Sequence, residues 1–404
     1  MKSVTTGIVI ISTCLLIFSG CAAYRAHEVG PTPIMQAEKE IPEDQLLDVG
    51  ILVFESQELD AEAAKEEGTH PDIRKAESNF IPYHLKNTLH QSSHWGAVRV
   101  LPAETNSVDL LVTGEILASN GEHLVLKVEA TDATGQIWLT RTYEEEATEA
   151  LYSGNIPGEK DAFQGLYNSI ANDIAEYKQQ LSPEDIEKIR TVSKLKFARD
   201  FAPDAYGDYL KTSEKDQITI NRLPAEEDPM MERLLRIRER EYMYVDTLNE
   251  YYDVFYNEMW PSYENWRKVN ISELQAIKKI KREAITRQLL GALLLAGAIA
   301  MAAGDVDNTA AIQTGMILVG GQVLIDGFNI SKEAEIHSAA IQELSESFGN
   351  EMKPVVMEFQ GKKYELTGSA EEQFKHWREL LRKIYKAETG FDLNSDPEEE
   401  AAEP

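Results

Sequence analysis

Two uncharged runs in the second half of the chain restrict its fold more than any other feature. Residues 288–304 and 308–325 contain no acidic or basic side chain, in a protein with 69 acidic and 40 basic residues. As helices, runs of 17 and 18 residues measure about 26 Å, close to the roughly 30 Å hydrocarbon thickness of a bilayer. The pattern predicts an apolar, Ala- and Gly-rich helical hairpin over residues 288–327, with Asp305 and Asp307 at its turn.

Small residues recur four positions apart along both runs, and such strips let helices approach closely. They are Ala292, Ala296, Ala300 and Gly304 on the first run, and Ala311 and Gly315 on the second. Two interpretations stay open. The hairpin inserts into a membrane or lines an oligomeric assembly, or it forms the buried centre of a helical domain. Its length favours insertion, whereas Gln313 and Gln322 argue against full exposure to lipid.

A basic segment directly precedes the first run. We call it the basic collar; it consists of Lys278, Lys279, Lys281, Arg282 and Arg287. A cluster of this kind before an apolar segment is expected where a helix meets anionic lipid headgroups. The alternative is a solvated helix face that pairs with the acidic remainder of the chain, whose formal charge is −29. This acidity excludes nucleic acid as a partner, because nucleic-acid binders present a basic face.

The amino terminus predicts export. Lys2, the apolar run Gly7–Phe18 and the small residues before Cys21 form a signal peptide over residues 1–20. Its end resembles the lipobox of bacterial lipoproteins, which implies that Cys21 carries diacylglycerol and palmitate chains. Ala22, in place of the Asp that retains such proteins at the inner membrane, implies an outer-membrane anchor that faces the periplasm. Cys14 lies within the removed signal, so no intramolecular disulfide is predicted.

A small α/β domain is predicted over residues 49–181, after a flexible tether over residues 21–48 that contains three prolines. An apolar strand at Asp48–Phe54 is followed by a helix at Arg74–His94. Four β-rich runs and a covering helix at Asp161–Leu181 complete the domain. Asn120-Gly121 between two of the runs is a strong hairpin signal.

The strand Val108–Ile116 and the later turn Asp132–Ile137 carry a resemblance. This part of the chain resembles the periplasmic α/β domains of the curli secretion channel lipoprotein and of the amino-terminal part of the Tol–Pal translocation protein. The resemblance covers roughly a third of the chain. It implies a non-catalytic domain that is used for assembly or partner contacts, and it carries no individual functional residues.

The rest of the chain reads as mainly helical, which gives an α+β fold class overall. Residues 182–287 are helical and rich in aromatic residues, with Pro261 expected to end or kink the helix. The aromatic residues between Tyr242 and Trp266 indicate a packed core, with a membrane-interface belt or a glycan surface as alternatives. Residues 328–391 predict a helix, a β-hairpin and a helix capped by Ser369, and residues 392–404 a disordered acidic tail.

Motifs that would name a reaction are missing from the sequence. It contains no zinc-protease motif, nucleophile elbow, phosphate-binding loop or dinucleotide fingerprint. His84, His90 and His94 lie near one another in sequence, but no Cys completes a zinc site. The Asp305-Val-Asp307-Asn308 segment lacks the downstream residues of a calcium loop. We therefore predict neither metal nor cofactor.

Together these features predict a lipid-anchored bacterial envelope protein that is not an enzyme. Its expected role is structural: it assembles or stabilises an envelope complex by binding a protein partner or by forming a homo-oligomer. An envelope hydrolase or cell-wall-modifying enzyme, with its site between the two domains, is the alternative from another class. A lipid carrier, with the lipid bound by the hairpin, is a further alternative.

Overall fold

A mixed sheet organises the amino-terminal half of the protein. The computed structural model describes residues 32–56, 59–152, 161–301, 339–343, 345–346, 354–359 and 362–389. The first six strands are β1 (Val49–Leu52), β2 (Glu55–Ser56), β3 (Val98–Leu101), β4 (Leu110–Ser119), β5 (His123–Asp132) and β6 (Ile137–Glu146). Their order is β3-β1-β4-β5-β6, and β2 pairs with β4. Strand β1 is parallel to both its neighbours, whereas β4, β5 and β6 are antiparallel.

Turn chemistry sets the antiparallel half of the sheet. Gly121 and Gly135 have φ values of +80° and +81°, which glycine adopts without steric cost, and they lie in the turns after β4 and β5. Along β5, alternate residues from Leu124 to Ala130 are buried, so one face of the strand belongs to the core. The hairpin predicted at Asn120-Gly121 is confirmed.

Helices cover the sheet and continue beyond it. They are α1 (Ala61–Glu67), α2 (Pro71–Gln91), α3 (Gln164–Gln179), α4 (Pro183–Phe201), α5 (Pro203–Tyr206), α6 (Pro229–Met301) and α7 (Ala370–Thr389). Single turns of 3-10 helix lie at Glu43–Gln45, Glu149–Tyr152 and Gly207–Tyr209, and two strands, β7 (Leu210–Thr212) and β8 (Ile218–Ile220), form a short hairpin. Ser182 and Asp185 form a reciprocal capping box at the start of α4.

Helix α6 is 73 residues long and contains Pro261 in its interior. The prediction that the helix ends at Pro261 is therefore wrong, and the alternative of a kink at this residue stays a prediction. A proline removes one backbone hydrogen bond, but rings on both sides of it pack against the same residue of α2. Trp260 stacks on Phe80 at 5.8 Å between ring centroids, and Tyr263 meets Phe80 edge-on at 4.8 Å. These contacts hold the residues on both sides of Pro261 against α2.

The segment from residue 32 to residue 47, assigned above to the tether, is docked on the body. Asn168 of α3 donates to the carbonyl of Thr32 at 2.8 Å, and Asn172 donates to that of Pro33 at 2.9 Å. Leu47 is fully buried. The remainder of the predicted tether, residues 21–31, lies outside the described residues.

The carboxyl-terminal elements pack back onto α6. Strands β9 (Val355–Phe359) and β10 (Lys362–Leu366) form the predicted hairpin. Ser369 and Glu372 cap α7 reciprocally, with bonds of 3.0 and 3.2 Å, as predicted. The buried Trp377 of α7 stacks on Tyr244 of α6 at 5.6 Å. The structure thus confirms the α+β fold class, with a mixed sheet followed by a helical region and a final hairpin and helix.

Candidate functional site

The candidate site is the place where α6 passes the β4–β5 turn, and we call it the helix clamp. Its members are Glu77, Gly121, Glu122, Tyr152, Asp161, Tyr263, Arg267, Asn270 and Lys278. Asn270 shows the principle: its side-chain amide donates to the carbonyls of Gly68 and Asn120 at 2.6 and 2.7 Å. One side chain of α6 thereby joins two loops of the α/β domain.

Gly121 brings the turn into backbone contact with α6. A Cβ atom at this position would lie 2.9 Å from the carbonyl oxygen of Arg267, so a larger residue does not fit. The Tyr152 hydroxyl donates to the carbonyl of Gly121 at 2.7 Å from the other side. The turn is therefore fixed against α6 both by shape and by hydrogen bonding.

A buried ion pair lies at the centre of the clamp. The two terminal nitrogens of Arg267 approach the two carboxylate oxygens of Asp161 at 3.2 and 2.7 Å, and both side chains are almost fully buried. Burial alone would raise the pKa of Asp161, but the Arg267 guanidinium holds that pKa below its ordinary value. The guanidinium also lies over the ring of Tyr263, 4.3 Å from its centroid.

A second buried carboxylate, Glu77, joins α2 to both the sheet and α6. It accepts hydrogen bonds from the hydroxyls of Ser119 and Tyr263, each at 2.5 Å. Complete burial raises the pKa of Glu77, against the lowering effect of the neighbouring Arg74. Glu77 also lies 3.4 Å from the Arg74 guanidinium, so it is paired with a buried cation while it accepts these two hydrogen bonds.

The basic collar begins at the clamp. The Lys278 ammonium lies 2.5 Å from the carboxylate of Glu122, beside the β4–β5 turn. Lys279 and Arg282 are exposed. Lys281 and Arg287 lie further along α6, at positions where the structure describes only the backbone.

The predicted small-residue strip begins on the last turns of α6. Ala292, Ala296 and Ala300 fall within the helix and, being four apart, share one side of its backbone. Gly304, Ala311, Gly315 and the lipidation residue Cys21 lie outside the described residues. Within the part of the chain that the structure describes, no helix is both long and apolar enough to cross a membrane.

The three histidines do not gather into a site. His84 is buried, and its two ring nitrogens lie 2.7 Å from the Tyr256 hydroxyl and 3.1 Å from the amide oxygen of Gln164. His90 is exposed, and His94 lies beyond the end of α2. Glu122, His123 and Glu146 do offer metal-ligand atoms within 4.8 Å of one another, but Glu122 already carries Lys278.

A second polar contact holds the first part of α6. Arg238 donates from two nitrogens to the carbonyl of Ser107, at 3.0 and 2.5 Å, and to the Ser193 hydroxyl at 2.7 Å. Its closest approach to the carboxylate of Asp109 is 3.6 Å. Burial raises the pKa of Asp109, although Arg238 acts in the opposite direction.

The sequence pointed to the Asn120-Gly121 turn and to Lys278 but not to the buried pair. Arg267 stands between Trp266 and Lys268 at the end of the aromatic stretch, and nothing in the local sequence marks it as buried. Its partner is 106 residues away, and sequence spacing does not specify such a pairing.

No protein-family model, no curated protein and no solved structure matches this chain.

Proposed function

We propose that this protein is a lipid-anchored structural component of the bacterial envelope, attached to the outer membrane through Cys21 and facing the periplasm. In this proposal the α/β domain is a mount for α6, and the protein acts by binding a partner or a second copy of itself rather than by catalysis. The uncharged run at the end of α6 is the contact region.

One observation carries the proposal: α6 is a single helix from Pro229 to Met301, and its passage past the sheet is fixed by the helix clamp. From Lys278 to Met301 the helix rises about 35 Å, at 1.5 Å per residue. Buried ion pairs contribute little net stability, but they fix the position of the helix that carries one partner. Any shift of the helix would leave a buried charge without its counter-ion. A mount of this kind suits a protein that presents a helix in a set direction.

The small-residue strip provides the test for assembly. A triple change, Ala292→Leu, Ala296→Leu and Ala300→Leu, should abolish close helix contact, because leucine keeps the backbones apart. We expect the wild-type protein to migrate as an oligomer or complex in native electrophoresis of detergent extracts, and the triple variant to migrate as a monomer.

Ala276→Leu is the matched control, since Ala276 is exposed on the same helix before the strip. It should leave native size and cross-linked products unchanged. A wild-type protein that migrates as a monomer and yields no cross-linked partner would contradict the proposed role. Localisation is tested separately: Cys21→Ala should remove the acyl chains and reduce the outer-membrane fraction.

A further inference from the structure

The direction in which α6 leaves the body follows from its contacts with α2. Tyr83 donates to Asp253, Tyr263 donates to Glu77, and Asn270 reaches the carbonyl of Gly68, just before α2 begins. As residue numbers rise on α6 they fall on α2, so the two helices are antiparallel. Helix α6 therefore leaves the body beyond the amino-terminal end of α2.

The docked amino-terminal segment runs in the opposite sense to α6. Helix α3 lies alongside the second half of α2 and runs parallel to it, since Gln164 contacts Thr88 and Lys178 contacts the carbonyl of His94. The segment then follows α3 from Asn168, which binds Thr32, to Asn172, which binds Met35. Further along, the amide of Ala37 donates to the carbonyl of Ser92, just after α2 ends. Followed backwards towards Cys21, the chain thus heads in the direction in which α6 leaves.

The chain from Thr32 back to Cys21 can reach about as far as α6 rises from the level of Thr32 to the basic collar. Gln164 lies at the level of Tyr256 on α6, because both contact His84. Asn168, which binds Thr32, is four residues and about 6 Å further along α3, away from the end at which α6 leaves. From the level of Thr32, the distance along α6 to Lys278 is therefore about 39 Å. The chain from Thr32 back to Cys21 spans about 36 to 40 Å when fully extended, at 3.3 to 3.6 Å per residue. The greatest reach of the link therefore just brings Cys21 level with the basic collar.

We infer that the lipid on Cys21 and the end of α6 engage one and the same membrane, with residues 22–31 as a link of just sufficient length. The inference rests on the proposed function and adds which surface α6 meets. The lipid positions the membrane at the basic collar, where the exposed Lys279 and Arg282 face anionic headgroups. The uncharged run that follows then enters the same leaflet.

The link length makes the inference testable. Deleting residues 24–29 shortens the reach by about 20 Å. The lipid and the end of α6 then cannot both reach one bilayer, because the body itself stands in the way. The deletion leaves Ala22 and the docked residues from Thr32 onward intact. The control replaces residues 24–29 with six Gly and Ser residues and keeps the length.

The chain itself supplies a clean labelling site. Once Cys14 is removed with the signal and Cys21 is acylated, Leu293→Cys introduces the sole free thiol. A fluorophore on this thiol is read in full-length, lipidated protein in phosphatidylethanolamine–phosphatidylglycerol vesicles that contain brominated lipids. We expect strong quenching for the wild type and for the replacement, and at least a threefold loss of quenching for the deletion, with flotation unchanged.

Three results would overturn the inference. Quenching that survives the deletion would mean that the link length does not matter. Clustering of vesicles by the wild-type protein would mean that α6 reaches a second membrane. Absence of quenching in all forms would mean that α6 meets no lipid. That last result leaves partner binding intact, because the native size and cross-linking of the Ala→Leu variants report on assembly independently.

Discussion

Two buried arginines of the same helix, Arg267 and Arg238, are held in different ways. Arg267 forms a two-pronged ion pair with Asp161, and the pKa of that carboxyl group is lowered. Arg238 donates mainly to the Ser107 carbonyl and lies 3.6 Å from Asp109, whose pKa is raised by burial. The first contact depends on charge, whereas the second depends on hydrogen bonds to neutral groups.

The difference follows from what each arginine must do. Near Arg267 the helix is about to leave the body, so its axial position must be set there, and a buried pair sets it because misalignment leaves a charge without a partner. Near Arg238 the helix is embedded between α4, the sheet and α7, and packing already fixes its place. The charge-dependent contact of Arg267 with Asp161 thus lies close to the point at which α6 leaves the body.

The largest expected effect comes from breaking the charge-dependent contact. Arg267→Met leaves Asp161 buried and unpaired, which should lower the free energy of unfolding by about 3 to 5 kcal/mol. The measurement is equilibrium denaturation in urea. Adding Asp161→Asn should recover part of the loss. Arg236→Met, at an exposed position of the same helix, should change stability by less than about 0.5 kcal/mol.

A smaller effect is expected at the hydrogen-bonded contact. Arg238→Met removes donors to Ser107 and Ser193, which should cost about 1 to 3 kcal/mol. Asp109 already favours its neutral form more than an ordinary Asp, so losing the cation matters less there. A double-mutant cycle should give a weaker coupling for Arg238 with Asp109 than for Arg267 with Asp161. Equal couplings would remove the distinction between the two contacts.

An exposed ion pair should matter least to stability. The Lys278 side chain is 46% exposed, so Lys278→Met should cost about 1 kcal/mol or less despite the 2.5 Å contact with Glu122. Raising the salt concentration should reduce this cost further, because exposed charges are screened. The measurement is urea denaturation at low and high salt. If Lys278→Met lowered the free energy of unfolding as much as Arg267→Met, the pair of Lys278 with Glu122 would hold the helix, and not the buried pair of Arg267 with Asp161.

Acidification should change the stability contributions of Asp161 and Asp109 in opposite directions. The pKa of Asp161 is lowered on folding, so its contribution is present above the ordinary Asp value of about 4 and is lost as the pH falls below it. The pKa of Asp109 is raised, so the folded state takes up a proton first, and stability is gained as the pH falls towards about 4. Stability measured from pH 7 to pH 3 should fall more steeply in Asp109→Asn than in the wild type, and less steeply in Asp161→Asn.

Local signals were enough to predict most of the sheet. The turn at Asn120-Gly121 and the cap at Ser369 are encoded by neighbouring residues, and both have the predicted form. The helix does not end at Pro261, because rings on both sides of it pack against Phe80, about 180 positions earlier in the chain. The aromatic stretch around it contributes buried rings such as Tyr252 and Trp266, in line with core packing.

Contacts between distant segments could not be predicted. The docking of Thr32 and Pro33 depends on Asn168 and Asn172, which lie more than 130 residues later and look like ordinary polar helix residues. The partners of Arg267 and Asn270 were hidden for the same reason. Spacing indicates which side chains share a face, but it does not indicate which face of another element they meet.

The bond between Tyr263 and Glu77 also bears on the order of folding. These residues are 186 positions apart, and Asp161 similarly precedes Arg267 by 106 positions. Because synthesis starts at the amino terminus, the strands and α2 emerge long before the tyrosine and the arginine that their buried carboxylates need. The buried carboxylates Glu77 and Asp161 therefore acquire these partners only after the long helix has been made, and contacts between residues so far apart in sequence slow folding.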